Sequence, residues 1–164
     1  MKSPHIPVLL DEVVNVFKDI KDGYIIDATV GYGGHSEAIL KSNPNIKMIC
    51  NDRDEEAIEF SKRRLEKFKD RVIFENLPFS KIIKKYENFP LRGILADIGV
   101  SSLQLDKKER GFAFDSEVLD MRMDRNSPLS AYEVVNDYPV EKLQEIFKKY
   151  GEVKEYKKAA LIID

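Results

Sequence analysis

The stretch from Tyr24 to Ser36, YIIDATVGYGGHS, changes character twice within a few residues. It begins as an apolar run with the length and isoleucine content of a buried parallel strand and closes that run on Asp27. It then passes through a glycine-rich turn into a helical pattern, GGHSEAILKS, which Asn43 and Pro44 stop. Strand, glycine turn and helix in that order open a βαβ unit, and the same grammar recurs downstream. Lys47 to Asn51 (KMICN), Val72 to Phe74, and Gly93 to Asp97 (GILAD) are further short apolar runs. Between the second and third, DEEAIEFSKRRLEKFK predicts a helix with Asp54 as N-cap, acids in its first turn, bases in its last, and Ile58, Leu65 and Phe68 near one face. Ser80 to Tyr86 predicts a short helix with Ile82 and Ile83 inward. The sum, βαβαβαβ, implies an α/β fold: a parallel sheet with right-handed crossovers, helices on both faces, and a ligand crevice at the carboxyl ends of the strands.

Outward from that half-sheet the pattern weakens. From Ile98 to Pro128 neither helical nor strand period is clean, and a loop of that length is usually functional or ordered by a partner. Helical signals return near Leu129 to Val135, from Val140 to Tyr150 and from Val153 to Ile163, with Ser130, Pro139 and Gly151 as boundaries. The composition, 43% hydrophobic and 34% charged over 164 residues, is that of a globular protein rather than a disordered one. With 27 basic and 29 acidic side chains, bulk electrostatics will not hold nucleic acid, although a local basic patch can. One cysteine and two histidines exclude an intrachain disulfide and a four-ligand Cys/His zinc site. No apolar run approaches the roughly 20 residues of a membrane span, so the expected address is the cytoplasm, with no membrane partner.

The crevice loops hold the candidate chemistry. After Asp27 the glycines run G-x-G-G-H, through Gly31, Gly33, Gly34 and His35. Such a turn lets backbone approach a ligand closely, and the N–H groups opening the next helix favour an anion; a turn that only needs positive φ uses the same residues. The spacing differs from the G-x-G-x-x-G of dinucleotide enzymes, which disfavours an oxidoreductase on the same sheet. Asp52 stands where an acid accepts both ribose hydroxyls of a nucleotide, and equally where a capping or solvated acid would stand beside Asp54 and Glu55. Phe79 offers a ring to stack on adenine or, alternatively, to fill the core. The segment from Asp97 to Gln104 (DIGVSSLQ) concentrates hydrogen-bonding groups at the crevice mouth, with a plain Asx- and Ser-capped turn as the other reading. Asp115, Glu117, Asp120 and Asp124 interleave with Arg122 and Arg125 at no ligand spacing, and read as loop charges rather than a metal site. Lys62, Arg63, Arg64, Lys67, Lys69 and Arg71 read as a solvated helix face. Lys107, Lys108 and Arg110, with Phe112, Phe114 and Met121 close by, combine charge with stacking surface as an RNA-contacting loop would.

Six strings, HIPVLL from His5 to Leu10, DATVGYGGHS, Asp52-Arg53-Asp54, ADIGVSSLQLD, RGFAF and LDMRMD, together resemble the bacterial ribosomal RNA small subunit methyltransferase H family, from His5 to about Tyr150. The resemblance implies a class I methyltransferase (Rossmann-like) sheet with an inserted helical domain. It implies methyl transfer from S-adenosyl-L-methionine to the exocyclic N4 of cytidine 1402 in 16S ribosomal RNA, with the small ribosomal subunit as partner. Carried over by motif, it assigns Gly33, Gly34, His35, Asp52, Phe79, Asp97 and Gln104 to the cofactor site. It makes Asp97, with Ser101 or Ser102 nearby, the catalytic candidate, orienting the target amino group or the ammonium of the cofactor.

Members of that family are longer, and their later His-Pro-Ala-Thr-Arg string has no counterpart here. Leu103 stands where many carry Pro, and the segment between RGFAF and LDMRMD lacks a Gly-Pro turn. The expected architecture is therefore a truncated one: a cofactor-binding half-sheet over residues 1–100, an active-site and substrate loop over 101–128, and the start of the helical insertion over 129–164. A sheet that ends on the strand leading to Asp97 leaves an edge that invites self-association. The alternative to an enzyme is a cofactor- or RNA-binding module without independent catalysis.

Overall fold

Four strands, β1 (Gly23–Asp27), β2 (Ile46–Asn51), β3 (Val72–Glu75) and β4 (Leu91–Leu95), make one sheet in the order β3-β2-β1-β4 in the computed structural model, which describes residues 6–163. All three pairings are parallel. That order is one half of a doubly wound sheet, with the first strand central and its carboxyl end between the ends of β2 and β4. The chain forms two compact units, one ending at Leu103 and one beginning at Gln104.

Alternation along the strands sorts the core of the first unit into two layers. Ile25, Met48 and Cys50 face one side, where they meet Phe17 of α1 (Leu10–Phe17), Ile39 and Leu40 of α2 (Gly34–Ser42), Ile58 of α3 (Glu55–Arg64), and Leu65. Ile26 and Ile49 face the other, against Ile82 and the Tyr86 ring on and just after α4 (Phe79–Lys85). Helices thus cover both faces, as the alternating pattern implies. The Asp54 carboxylate caps α3 by accepting from Glu56 N–H at 3.1 Å.

The structure departs from the sequence reading in five places. Residues 10–17 form α1, which the sequence reading passes over; Asp11 and Glu12 sit in its first turn, where acids favour a helix N-terminus. The helix after β2 does not run through Phe68: it ends at Arg64, and a 3₁₀ turn (Glu66–Arg71) follows. That turn brings Arg71 over the start of β2, where its guanidinium donates to Leu40, Asn43 and Ile46 carbonyls at 2.8–3.3 Å. Ile83 is 47% exposed, so only Ile82 of the predicted inward pair reaches the core. β4 is shifted toward the N-terminus and stops at Leu95, leaving Asp97 in the loop beyond it. The last helix begins at Tyr156 rather than Val153.

The division between the units falls within a short helix α5 (Ser102–Asp106), after which a 3₁₀ turn (Lys108–Arg110) opens the second. Helices α6 (Ala131–Asp137), α7 (Val140–Lys149) and α8 (Tyr156–Ile163) complete it. Ser130 and Glu133 form a reciprocal capping box at the start of α6, and α7 packs on α8 with Leu143 and Ala160 buried. Among the described residues no helix is long and apolar enough to cross a membrane. His5, which opens the HIPVLL string, lies outside the described residues.

Candidate functional site

The loops beyond the four strands are stapled together by side chains, and the staples converge on residues 28–31. Ala28 N–H donates to Leu95 O (2.8 Å) and Val30 N–H to Asn51 O (2.9 Å), so the chain past β1 still runs between its neighbours. Asn51, fully buried, donates from Nδ2 to Ala28 O (3.3 Å) and Leu77 O (2.9 Å) and accepts from Leu77 N–H at Oδ1 (2.9 Å). One amide thereby joins the loops after β1, β2 and β3. Asp52 adds a second staple: Oδ2 accepts from Gly31 N–H (2.9 Å) and Oδ1 from Asp54 N–H (3.0 Å). Burial raises its carboxyl above the ordinary aspartate value. Thr29 supplies a third, its Oγ1 accepting from Asp97 N–H at 2.7 Å.

Beneath the glycine turn lies a buried polar chain. Asp27 accepts from Ser36 Oγ at 2.6 Å and from Thr29 N–H at 3.3 Å, and Cys50 Sγ lies 3.3 Å from the same Ser36 oxygen. Burial pushes the Asp27 carboxyl up to about 6 and the Cys50 thiol above its ordinary range, so the thiol is inert. Asp27, Thr29, Ser36 and Asn51 were not among the site candidates. Their roles depend on partners far apart in sequence, and the only local signal was their place at strand ends and a helix start.

The named candidates fare differently. Gly33, at φ +73°, is the N-cap of α2, and Gly34 opens that helix where a Cβ would press on the Pro7 ring. His35 is buried, its Nε2 2.8 Å from Val8 O. Gly34 and His35 therefore seat the N-terminal segment, whatever else they do. Each Asp52 oxygen already holds a backbone amide but keeps a further lone-pair site for a diol. Phe79, 42% exposed, lies outside both core clusters, which removes the core-filling alternative and leaves its ring available at the start of α4. Asp97 is exposed, as is the whole run from Ala96 to Val100. Gln104 is buried and belongs to the second unit.

The basic candidates need correction. Arg110 is not a surface cation: it is 1% exposed and donates from Nη2 to the carbonyls of Arg122 (2.9 Å) and Met123 (3.2 Å), pinning the loop 120–123. Arg64 and Arg71 are likewise structural, Arg64 pairing with Glu37 at 2.6 Å. Lys108 pairs with Asp115 at 2.6 Å on the surface. Phe114 is fully exposed, and Met121 is 46% exposed at φ +57°. Asp120 is held by Arg122, which keeps its carboxyl down to about 2.

The loops at the carboxyl ends of the first unit's strands carry a donor set and glycines that suit a sulfonium nucleoside. Acids at Asp52 and Asp97 suit a cationic ligand, and the N-terminal end of α2, at Gly33 and Gly34, suits a carboxylate. A Cβ at Gly31 would meet only Thr29 O at 3.9 Å, and one at Gly99 nothing within 4 Å, so backbone is open to a ligand on both loops. The chain resembles several curated proteins named ribosomal RNA small subunit methyltransferase H. It is 58% identical over 163 residues to that of Aliarcobacter butzleri (99% of this chain, 54% of that protein). It is 55% identical over 154 residues to that of Campylobacter jejuni strain RM1221 (93% of this chain, 50% of that protein). The chain spans about half the length of the curated relatives it matches. Among solved structures, a precorrin-6y C5,15-methyltransferase from Geobacter metallireducens aligns with TM-score 0.44 and 14% identity over 51% of this chain and 47% of that one. The sequence model of the MraW methylase family matches residues 2–164, and the chain belongs to that family.

Proposed function

We propose that this chain supplies the S-adenosyl-L-methionine-binding part of an enzyme that methylates the N4 amino group of cytidine 1402 in 16S ribosomal RNA. The observation that carries the reading is its 58% identity, along 99% of its length, to a protein named as a small-subunit ribosomal RNA methyltransferase. The crevice supports the donor half of it. The N–H groups at the start of α2, after Gly33 and Gly34, would hold the methionine carboxylate; Asp52 would accept the ribose hydroxyls; Phe79 would lie against adenine. The family resemblance assigns Gln104 to the donor as well. When bound, the donor supplies an electrophilic methyl group on a cationic sulfur.

Cytosine N4 is a weak nucleophile because its lone pair is delocalised into the ring, so catalysis rests on orientation. Asp97, exposed just beyond β4, would join the donor set by accepting from the ammonium of the methionine part, or would accept from the target amino group and hold it toward the methyl. The proposed partner is the small ribosomal subunit, in the cytoplasm. β4 is an outer strand with Ile94 48% exposed, and self-association along it is proposed as well.

Calorimetric titration with S-adenosyl-L-methionine and with NAD tests the donor assignment; saturable binding of the first and none of the second is expected, and the reverse overturns it. Methyl incorporation into 16S RNA and into small subunits tests the reaction. The exposure of the whole run from Ala96 to Val100 favours a second reading, a binding module without catalysis. Donor binding without incorporation would decide for it.

A further inference from the structure

We propose that Thr29 is a positioning residue that sets the place of Asp97 through its side-chain hydroxyl; this rests on the reading of Asp97 as part of the donor site. The regular ladder between β1 and β4 breaks just beyond Leu95. In a parallel pair, a residue that donates its N–H to one carbonyl of the neighbouring strand accepts, at its own carbonyl, from the N–H two residues further along that strand. Ala28 N–H donates to Leu95 O at 2.8 Å, so the next regular rung would run from Asp97 N–H to Ala28 O. That rung is replaced at both ends by side chains. Ala28 O accepts instead from Asn51 Nδ2 (3.3 Å), and Asp97 N–H donates to Thr29 Oγ1 (2.7 Å). The chain therefore leaves the sheet at Leu95 while Asp97 stays tethered to the glycine turn.

The tether is itself well anchored. Thr29 N–H is held by Asp27 Oδ1 at 3.3 Å, and the flanking N–H groups of Ala28 and Val30 bond Leu95 O and Asn51 O. Three successive backbone amides fix the turn before the hydroxyl reaches across it. Asp97, by contrast, is exposed, so water can solvate its amide if the hydroxyl is lost. The bond consequently contributes little to folding and mainly sets geometry, which separates a positioning role from a structural one.

Thr29→Val keeps the branched shape and removes the acceptor; Thr29→Ser keeps the acceptor. Hydrogen exchange at the Asp97 amide is expected to speed up about tenfold in T29V and to stay near wild type in T29S, with unchanged melting in both. Unchanged exchange in T29V, or equal acceleration in T29S, would overturn the tether. In calorimetric titrations with S-adenosyl-L-methionine, T29V should weaken binding about tenfold and T29S by less than about threefold. In an Asp97→Ala background T29V should add less than about twofold, because its effect passes through Asp97. Full additivity, or T29S as weak as T29V, would overturn the positioning role. Should T29V fail to fold, Thr29→Ala takes its place in every arm. A wild-type chain that does not bind the donor refutes the functional reading, while the exchange measurement still decides the tether.

Discussion

The loop after β1 and the loop after β4 sit side by side at the carboxyl end of the sheet, yet they are built in opposite ways. The first is wedged between neighbours: Ala28 and Val30 are each 5% exposed, Gly31 is bonded to Asp52, and the buried Asp27–Ser36 pair lies beneath it. In the second, every residue from Ala96 to Val100 is exposed, and Asp97 reaches the first loop through Thr29. A loop locked by buried polar groups suits a ligand whose shape never varies, such as a cofactor. An exposed loop tethered at one residue suits a substrate that must arrive and leave. Asp97, the candidate for orienting the target amino group or the donor's ammonium, lies on the looser loop.

The sharpest way to break this comparison is Asp97→Ala. If the looser loop carries the chemistry, methyl incorporation should fall at least about a hundredfold, the scale of a lost general acid–base or orienting group. Because Asp97 is exposed, the variant should melt within a degree or two of wild type. Near-normal turnover in a folded protein would remove Asp97 from the mechanism.

The locked loop makes a prediction of its own through Asp27. Its carboxyl is raised by burial from an ordinary 3.8 to about 6 in the folded chain. Between those values the folded state holds a proton that the unfolded state has lost, so this group's contribution to stability falls as pH rises from about 4 to about 6 and is level above that. The shift corresponds to about 3 kcal/mol. Unfolding free energies of wild type and Asp27→Asn, measured by denaturant across this range, should diverge by that order, with wild type losing ground as pH rises. A difference independent of pH would show that the buried carboxyl is not the source.

The scaffold under both loops was largely legible in the sequence, because hydrophobic period and glycine turns are local signals. β1, β2 and β3, the Asp54 cap and the stop of α2 at Asn43 all follow from residues within a turn of one another. α1 was passed over, although Asp11 and Glu12 occupy its first turn, where acids favour a helix N-terminus. The end of β4 was misplaced because the apolar run GILAD continues past the point where pairing with β1 stops; register, not hydropathy, ends the strand. Asn51 and Thr29 were silent as staples because an amide or a hydroxyl carries no record of its distant partner. Arg110 was misread because its burial depends on carbonyls at Arg122 and Met123 that loop closure brings to it.

Gly33, where the first loop enters α2, and Gly99 on the second loop differ in what they permit, which gives the finest test. Gly33 is at φ +73°, and a Cβ there would lie 3.3 Å from Ser61 Cβ and 3.6 Å from the Leu65 side chain. Alanine at this position meets both an unfavourable left-handed backbone and a neighbour that must give, and Gly33→Ala should cost about 1–2 kcal/mol of stability. Gly99 is flanked by open space, with nothing within 4 Å of an added Cβ. Gly99→Ala should therefore change stability by less than about 0.5 kcal/mol, since it creates no clash and buries nothing. If backbone openness at Gly99 serves a ligand, the same variant should still weaken S-adenosyl-L-methionine binding or methyl transfer, measured by calorimetry and incorporation. Stability loss at Gly99 equal to that at Gly33 would mean that the second loop is as tightly built as the first, and the contrast between a fixed donor loop and a looser substrate loop would fail.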